Sequence, residues 1–238
     1  MERENYHLFD LLIKNVLEDT GSYNMVYLVN ALFGRQYPKE APVTFRKTES
    51  VTLEGTKLKP YRSDMIVGIG EDDFVIEFQT SDDEIIGLRI FEYGFKYADS
   101  IKHIEGKGQL IEFIIPEGCV IFWESTEKTP DNIKLRIRQK NSDKVFDYDV
   151  TVFKLEEKSL EQLEELKLLV LLPFYIMRFR SELEKKSVSE SAEKRRALAE
   201  EEKKLLGELR AILERSLEQG FISSGDQIKL LHKHIFNA

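Results

Sequence analysis

The sequence predicts a mixed α/β core over residues 1–154 and an all-helical section over residues 155–238. Three observations carry that reading. Short β-branched and aromatic runs, bounded by Gly, Pro, Asn or Asp, recur between Val43 and Phe153. Among them stands Ile85 to Ile104, with Ile86, Ile90, Tyr93 and Tyr97 at helical spacing. From Leu155 onward the pattern is helical to the end.

Taken in order, Asn5 to Asp19 places Leu8, Leu11, Leu12, Val16 and Leu17 on one helical face, and Thr20-Gly21-Ser22 breaks it. Tyr23 to Phe33 reads as a second helix, with Gly34 as its C′ residue. Pro38 and Pro42 mark a loop, and Val43 to Leu53 reads as one strand. Ser63 to Ile69 and Phe74 to Thr80 form a hairpin around Gly70-Glu71-Asp72-Asp73. After the Ile85 helix, Leu110 to Ile115 and Cys119 to Trp123 are short strands split by Pro116-Glu117-Gly118. Ile133 to Gln139 and Val145 to Phe153 form a second hairpin around Asn141-Ser142-Asp143. Pro173 opens or kinks a helix. A later helix carries a stripe of Leu198, Leu205, Leu209, Ile212 and Leu217, and Gly220 and Gly225 flank a short last one.

A chain of 238 residues suits one large domain or a domain with an appendage. Hydrophobic residues make up 42%, and 15 Phe with 9 Tyr are enough to build a core, which excludes wholesale disorder. The single cysteine, Cys119, excludes an internal disulfide and a multi-cysteine zinc site. The polar start leads into no apolar signal region, and the longest apolar run, Leu168 to Met177, is too short to span a bilayer and holds Pro173. The expectation is a cytoplasmic protein with no membrane partner. The net charge of −8 argues against a broad nucleic-acid footprint. Its distribution is uneven: residues 61–100 hold 10 Asp/Glu against 3 Lys/Arg. Such a carboxylate cluster is either a solvated surface or a cation site.

In the first hairpin, alternation puts Asp64 and Ile66 on one face of their strand, and Val75, Glu77 and Gln79 on one face of the partner. With Glu71 and Asp72 as the two loop residues, Ile66 lies opposite Glu77 and Asp64 opposite Gln79. Asp64, Glu77 and Gln79 then project from one side, within reach of a shared ion. Carboxylates among Met65, Ile66, Val67, Val75, Ile76 and Phe78 are unfavourable without a counter-charge. Mg²⁺, or Mn²⁺ in its place, removes that penalty and can polarise a phosphodiester while acidifying a bound water.

The ordered set Arg62-Ser63-Asp64-Met65, Val75-Ile76-Glu77-Phe78-Gln79, then Arg89 with Tyr93, resembles the PD-(D/E)XK nuclease core with Gln in the last position. It is similar to the PD-(D/E)XK family transposases, the Rpn-type recombination-promoting nucleases. Phe9-Asp10 with Lys14, the run Leu28-Val29-Asn30-Ala31-Leu32-Phe33, and Leu171-Leu172-Pro173-Phe174 extend the resemblance over roughly residues 8–180. The resemblance implies a restriction-endonuclease-like mixed sheet flanked by helices and Mg²⁺-dependent cleavage of DNA. It makes Asp64, Glu77 and Gln79 catalytic, with Asp64, Glu77 and the Phe78 carbonyl on the metal. Asp10 is the candidate upstream carboxylate, with Glu18 behind it. Arg89 and Arg62 are candidate phosphate contacts. Gln79 departs from the Lys of the wider pattern and brings no positive charge to the transition state, so charge stabilisation falls on metal or Arg.

Plainer readings stand beside these. Asp64, Glu77 and Gln79 can be ordinary polar residues of a solvent-facing strand. Asp10 and Lys14 are an i,i+4 pair, and Arg89 can pair with Glu92 or with a site carboxylate. Lys134, Arg136, Arg138 and Lys140 line one strand face, as a DNA-backbone stripe would. A Ser142-Asp143 turn would instead pair Asp147 with Arg138 and Asp149 with Arg136 across the strands. His232 and His234 have no partner cluster for a metal, and Cys119 reads as a buried strand residue. The C-terminal leucine stripe reads as core packing, with a homodimer through these helices as the alternative.

The expectation is therefore a Mg²⁺-dependent DNA endonuclease in a mobile-element or recombination setting. Residues 1–154 form its nuclease core, and residues 155–238 pack on it or mediate oligomerisation. The alternatives are a catalytically inactive binding or assembly module of the same fold, and an RNA-cleaving toxin.

Overall fold

The computed structural model describes residues 16–17, 20–46, 49–54, 57–62, 65–79, 83–176 and 192–231, with backbone alone for 49–54, 57–62, 192–195 and 198. Two compact units emerge. One comprises Met1–Ala31, Pro38–Glu40 and Leu155–Ala238; the other comprises Leu32–Tyr37 and Ala41–Lys154.

The second unit is built on a mixed sheet of six strands. They are β1 (Val43–Phe45), β4 (Met65–Ile69), β5 (Asp72–Gln79), β8 (Glu117–Phe122), β10 (Val145–Lys154) and β9 (Asn132–Arg138), in that spatial order. β4 runs antiparallel to both β1 and β5, β8 is parallel to β5, β10 is parallel to β8, and β9 returns antiparallel. The α/β class with a mixed sheet is as the sequence predicts. The expected single strand from Val43 to Leu53 is instead two: β1, and β2 (Glu49–Glu54), which pairs with β3 (Lys57–Arg62) in a separate ribbon. The Ile85 helix, α2 (Ile86–Ile101), ends three residues early, because His103–Glu105 turns extended as β6 and pairs with β7 (Leu110–Glu112).

Helix α2 covers one sheet face, where Ile66, Val75, Val120, Phe122, Tyr148 and Val150 pack with its Ile86 and Ile90. Two glycines permit that close approach. A Cβ on Gly87 would overlap Ile133 Cγ2, and one on Gly118 would meet Ile90 Cγ2 at 2.5 Å and Tyr148 Oη at 2.7 Å. Tyr148 spends its hydroxyl on the Pro116 carbonyl at 2.8 Å. The other face is equally apolar, with Val67, Ile69, Phe74, Ile76, Cys119 and Ile121 buried and the Phe33 and Tyr37 rings on Phe74. Complete burial pushes the Cys119 thiol up in pKa, as suits a core residue.

The first unit is helical. Helix α1 (Ser22–Phe33) begins in it and buries Met25, Val26, Leu28 and Val29. α3 (Leu160–Glu165) starts at a capping box made by Ser159 and Gln162, and α5 (Ser224–Ile228) at one made by Ser223 and Asp226. Between them lies α4 (Ala192–Glu218), whose Leu205, Leu209, Ile212 and Leu213 are buried within the single chain. Of the predicted stripe, Leu205, Leu209 and Ile212 are buried, Leu217 is half-buried, and the Leu198 side chain lies outside the described residues. Arg215 grips Glu164 through two hydrogen bonds of 2.8 and 2.6 Å. Lys167 sets its ammonium 4.0 Å from the Phe221 ring centre and 5.0 Å from that of Tyr27. The buried Asp226 carboxylate accepts from the Gly21 amide at 2.9 Å, from the Ser223 hydroxyl at 2.7 Å and from the Tyr23 hydroxyl. No described helix is long and apolar enough to cross a membrane.

Candidate active site

Strand β5 sets the site. Its turn from β4 uses Gly70 and Glu71, and Gly70 has φ +64°, as the first loop position of a type II′ turn requires. Ile66 therefore lies opposite Val75, two residues from the expected partner Glu77. A shift of two preserves the faces, so Ile66, Val75, Glu77 and Gln79 still share a side. That side is the one beneath α2.

Glu77 is 2% exposed there. A carboxylate so buried needs nearby positive charge or donors. Helix α2 brings them on one flank, where Arg89, Tyr93 and Tyr97 recur every fourth residue. Eight helical residues rise about 12 Å, and the four strand residues from Glu77 to Asp73 span about 13 Å. The two ladders match at both ends. Tyr97 donates to Asp73 Oδ2 at 2.7 Å, and Arg89 feels the Glu77 charge. Arg46 donates through Nε to Asp73 Oδ1 at 3.0 Å, over the bare backbone of Gly68.

Arg89 is fixed on several sides. Its Nη1 donates to Asp83 Oδ2 at 2.9 Å, and its Nη2 lies 3.5 Å from the Tyr93 hydroxyl. Asp83 is itself held at the helix entrance, accepting the Ile85 amide at 3.0 Å on Oδ1 and the Ile86 amide at 3.2 Å on its carbonyl. Burial disfavours the Arg89 charge, but Tyr93, Asp83 and Glu77 outweigh it and raise its pKa above the ordinary value. Gln79 ends β5 half-buried, and its carbonyl accepts the Trp123 amide at 2.9 Å.

Of the sequence-predicted set, the described residues place Glu77 and Gln79 on the sheet face beneath α2, Phe78 between them on β5, and Arg89 with Tyr93 on α2. Asp64 and Asp10 lie outside the described residues, as do Lys14, Glu18, His232 and His234. Arg62 closes the backbone of β3, and its side chain is outside them too. Sequence reasoning missed Asp83, whose only signal was its place in the acidic run before α2. It also missed the Arg46–Asp73–Tyr97 cluster.

The basic stripe on β9 is paired otherwise than expected. Asp147 stands opposite Arg136 and Asp149 opposite Lys134, two residues from the predicted register. Asn141, at φ +60°, takes the turn position that the Ser142-Asp143 reading had left to the next residues. Arg136 makes two hydrogen bonds to Asp147, at 2.7 and 2.6 Å, and Lys134 lies 3.3 Å from Asp149. Cross-strand pairing accounts for these two cations.

A hard divalent cation takes oxygen donors, and the Glu77 carboxylate with the adjacent Phe78 carbonyl are donors of that class. Among the described residues no three His, Cys, Asp or Glu side chains converge. The further carboxylates of the sequence reading are Asp64 and Asp10. Comparison of the chain with family models, curated proteins and solved structures gave no match.

Proposed function

We propose that this protein is a Mg²⁺-dependent endonuclease that hydrolyses phosphodiester bonds in DNA. The observation that carries the reading is the buried Glu77, sharing with Gln79 the sheet face that the following helix, bearing Arg89, covers. This supports the resemblance of the sequence to PD-(D/E)XK nucleases. Three antiparallel strands, a helix, and then a strand parallel to the third are compatible with a restriction-endonuclease-like core. A mobile-element or recombination setting rests on the sequence resemblance alone.

Glu77, the Phe78 carbonyl and Asp64 would hold the metal, with Asp10 as the upstream carboxylate. When bound, Mg²⁺ supplies Lewis-acid polarisation of the phosphodiester and a water of lowered pKa. Gln79 orients the attacking water or the scissile phosphate through its amide. Arg89, locked by Asp83, offers fixed positive charge near the phosphorane that forms. Arg62 is the second candidate phosphate contact. Water oxygen bonds to phosphorus as the bond from phosphorus to the sugar oxygen breaks. The water gives up one proton to solvent, and the departing oxygen gains one.

A second reading has its own observation. Arg89 is engaged by Asp83 and feels the Glu77 charge, so both groups have a structural use in an inactive module. A plasmid-nicking assay with Mg²⁺, Mn²⁺ or EDTA separates the two. We expect metal-dependent nicking by the wild type and its loss in Asp64→Ala and Glu77→Ala, both still folded by circular dichroism. Full activity in both variants would overturn the assignment, and no nicking by wild type in any metal would favour the module. An RNA substrate run in parallel tests the toxin alternative.

A further inference from the structure

We infer that the β6–β7 ribbon docks on the same ribbon of a second copy of this chain, β6 against β6, antiparallel about a two-fold axis at Ile104. The inference does not depend on the endonuclease reading. Among the described residues, His103–Glu105 and Leu110–Glu112 pair only with each other, and all six residues are exposed. A two-stranded ribbon is marginal in water unless it gains strands or buries an apolar face. This one has such a face: Ile104 and Ile111 stand directly opposite, 53% and 45% exposed. Phe113 follows β7, and Phe95 of α2 stacks on it with ring centres 5.2 Å apart while itself 42% exposed. An apolar cluster left in water marks an interaction surface. Free strand edges are commonly guarded by lysine or proline, and neither occurs within β6 or β7.

The residue order of β6 selects the occupant. Two antiparallel copies centred on Ile104 set Ile104 against Ile104, and His103 against Glu105 on both sides of the axis. Directly opposed residues share a sheet face. One face of the combined sheet therefore carries an unbroken row, with Ile111 and Ile104 of one copy continued by Ile104 and Ile111 of the other. On the opposite face each His103 lies between Glu112 of its own chain, already across from it, and Glu105 of the second copy. A ring nitrogen that donates thus meets carboxylates that accept, and charge attraction is added when the ring is protonated. Within one chain His103 Nε2 is 3.2 Å from Glu105 Oε1, and the second ring nitrogen and second carboxylate oxygen leave capacity for the other copy. The backbone imposes the same centre. Residues of an antiparallel strand aim their amide and carbonyl alternately at one neighbour and the other. The outward groups of β6 are therefore either those of Ile104 or those of His103 and Glu105, and an axis at Ile104 satisfies both cases. A slip of one residue would set Ile104 against His103 or Glu105 and mix the faces. β7 against β7 would set Leu110 against Glu112, apolar against charge.

The test is sedimentation velocity of the full chain from about 1 to 100 µM, where a small interface assembles, with thermal melting as a fold control for each variant. We expect a reversible monomer–dimer equilibrium. Ile104→Lys sets like charge against itself across the axis and should weaken the dimer about tenfold or more. His103→Glu and Glu105→Lys should each weaken it alone, and an equimolar mixture of the two should recover it, because each carries the charge that the other lacks. Mild oxidation of Ile104→Cys should give a covalent dimer, since directly opposed residues lie within disulfide reach. Ile111→Cys, about 14 Å from its counterpart across three strand spacings, should not, and the native Cys119 is buried. A wild type that stays monomeric throughout would overturn the proposal and leave the patch to a different protein. So would a dimer untouched by Ile104→Lys, a mixture that fails to recover, or cross-linking through Ile111→Cys in place of Ile104→Cys. Association running past the dimer would overturn it too, since β6 would then be adding to β7 of the next copy in an open series.

Discussion

Arg89 on helix α2 and Glu77 on strand β5 sit close enough that the carboxylate helps to hold the guanidinium charged. Glu77 is buried, whereas Arg89 keeps 35% of its side chain in solvent. Arg89→Met should destabilise the protein by about 2 kcal/mol. That is less than the 3–5 kcal/mol typical of breaking a fully buried pair, because solvent reaches the arginine. Adding Glu77→Gln should recover much of the loss. Thermal melting of the four-member cycle measures the coupling, and an unaltered midpoint in Arg89→Met would refute it.

The approach of α2 to the sheet should be equally sensitive to two hydrogens becoming methyls. Gly87→Ala drives a Cβ into Ile133, and Gly118→Ala drives one into Ile90 and Tyr148. Overpacking of this kind costs about 1–3 kcal/mol, or roughly 2–4 °C of melting temperature per kcal/mol at this size. Ile133→Ala should relieve Gly87→Ala and leave Gly118→Ala unrelieved. Equal effects of Ile133→Ala on both would place the strain elsewhere.

Alkaline pH should loosen the sheet unit through two tyrosines. Burial and the Asp73 carboxylate that accepts its proton push Tyr97 up to about 12, from an ordinary 10.0. Burial and Asp72 do the same for Tyr37, also to about 12. A pKa higher in the folded state gives stabilisation that is complete below pH 10 and lost as pH rises toward 12. Denaturation midpoints should therefore fall across that window. Tyr97→Phe with Tyr37→Phe should be less stable at pH 8 and show a shallower fall. Phenolate absorbance of the native protein checks the assignment, since both rings should ionise after exposed tyrosines.

Much of this was legible because faces survive errors of register. Alternation together with a two-residue loop puts Ile66, Val75, Glu77 and Gln79 on one side, and the observed register, two residues from the expected one, keeps them there. In both hairpins the error came from the turn. Gly70 and Asn141 each adopt positive φ and draw the loop toward themselves, a choice that composition suggests without locating. Lys57–Arg62 was unreadable as a strand, since Pro60 and interspersed lysines give it no alternation, and Pro60 is tolerated in a two-stranded ribbon. Asp83 escaped notice for another reason. Its link to Arg89 runs between residues six apart across a helix entrance, a spacing that no periodic pattern marks.

The Asp226 carboxylate bonds to Tyr23, 203 residues earlier in the chain. During synthesis on the ribosome, Tyr23 emerges long before the carboxylate that anchors it. Residues 41–154 are all available well before then, so the sheet unit can form while the helical unit still lacks its closing piece. The helical unit is thus the last to be completed, and a nascent chain arrested before Asp226 would present α1 without its clasp. Closing a loop of that length carries an entropic cost that grows only slowly with further residues.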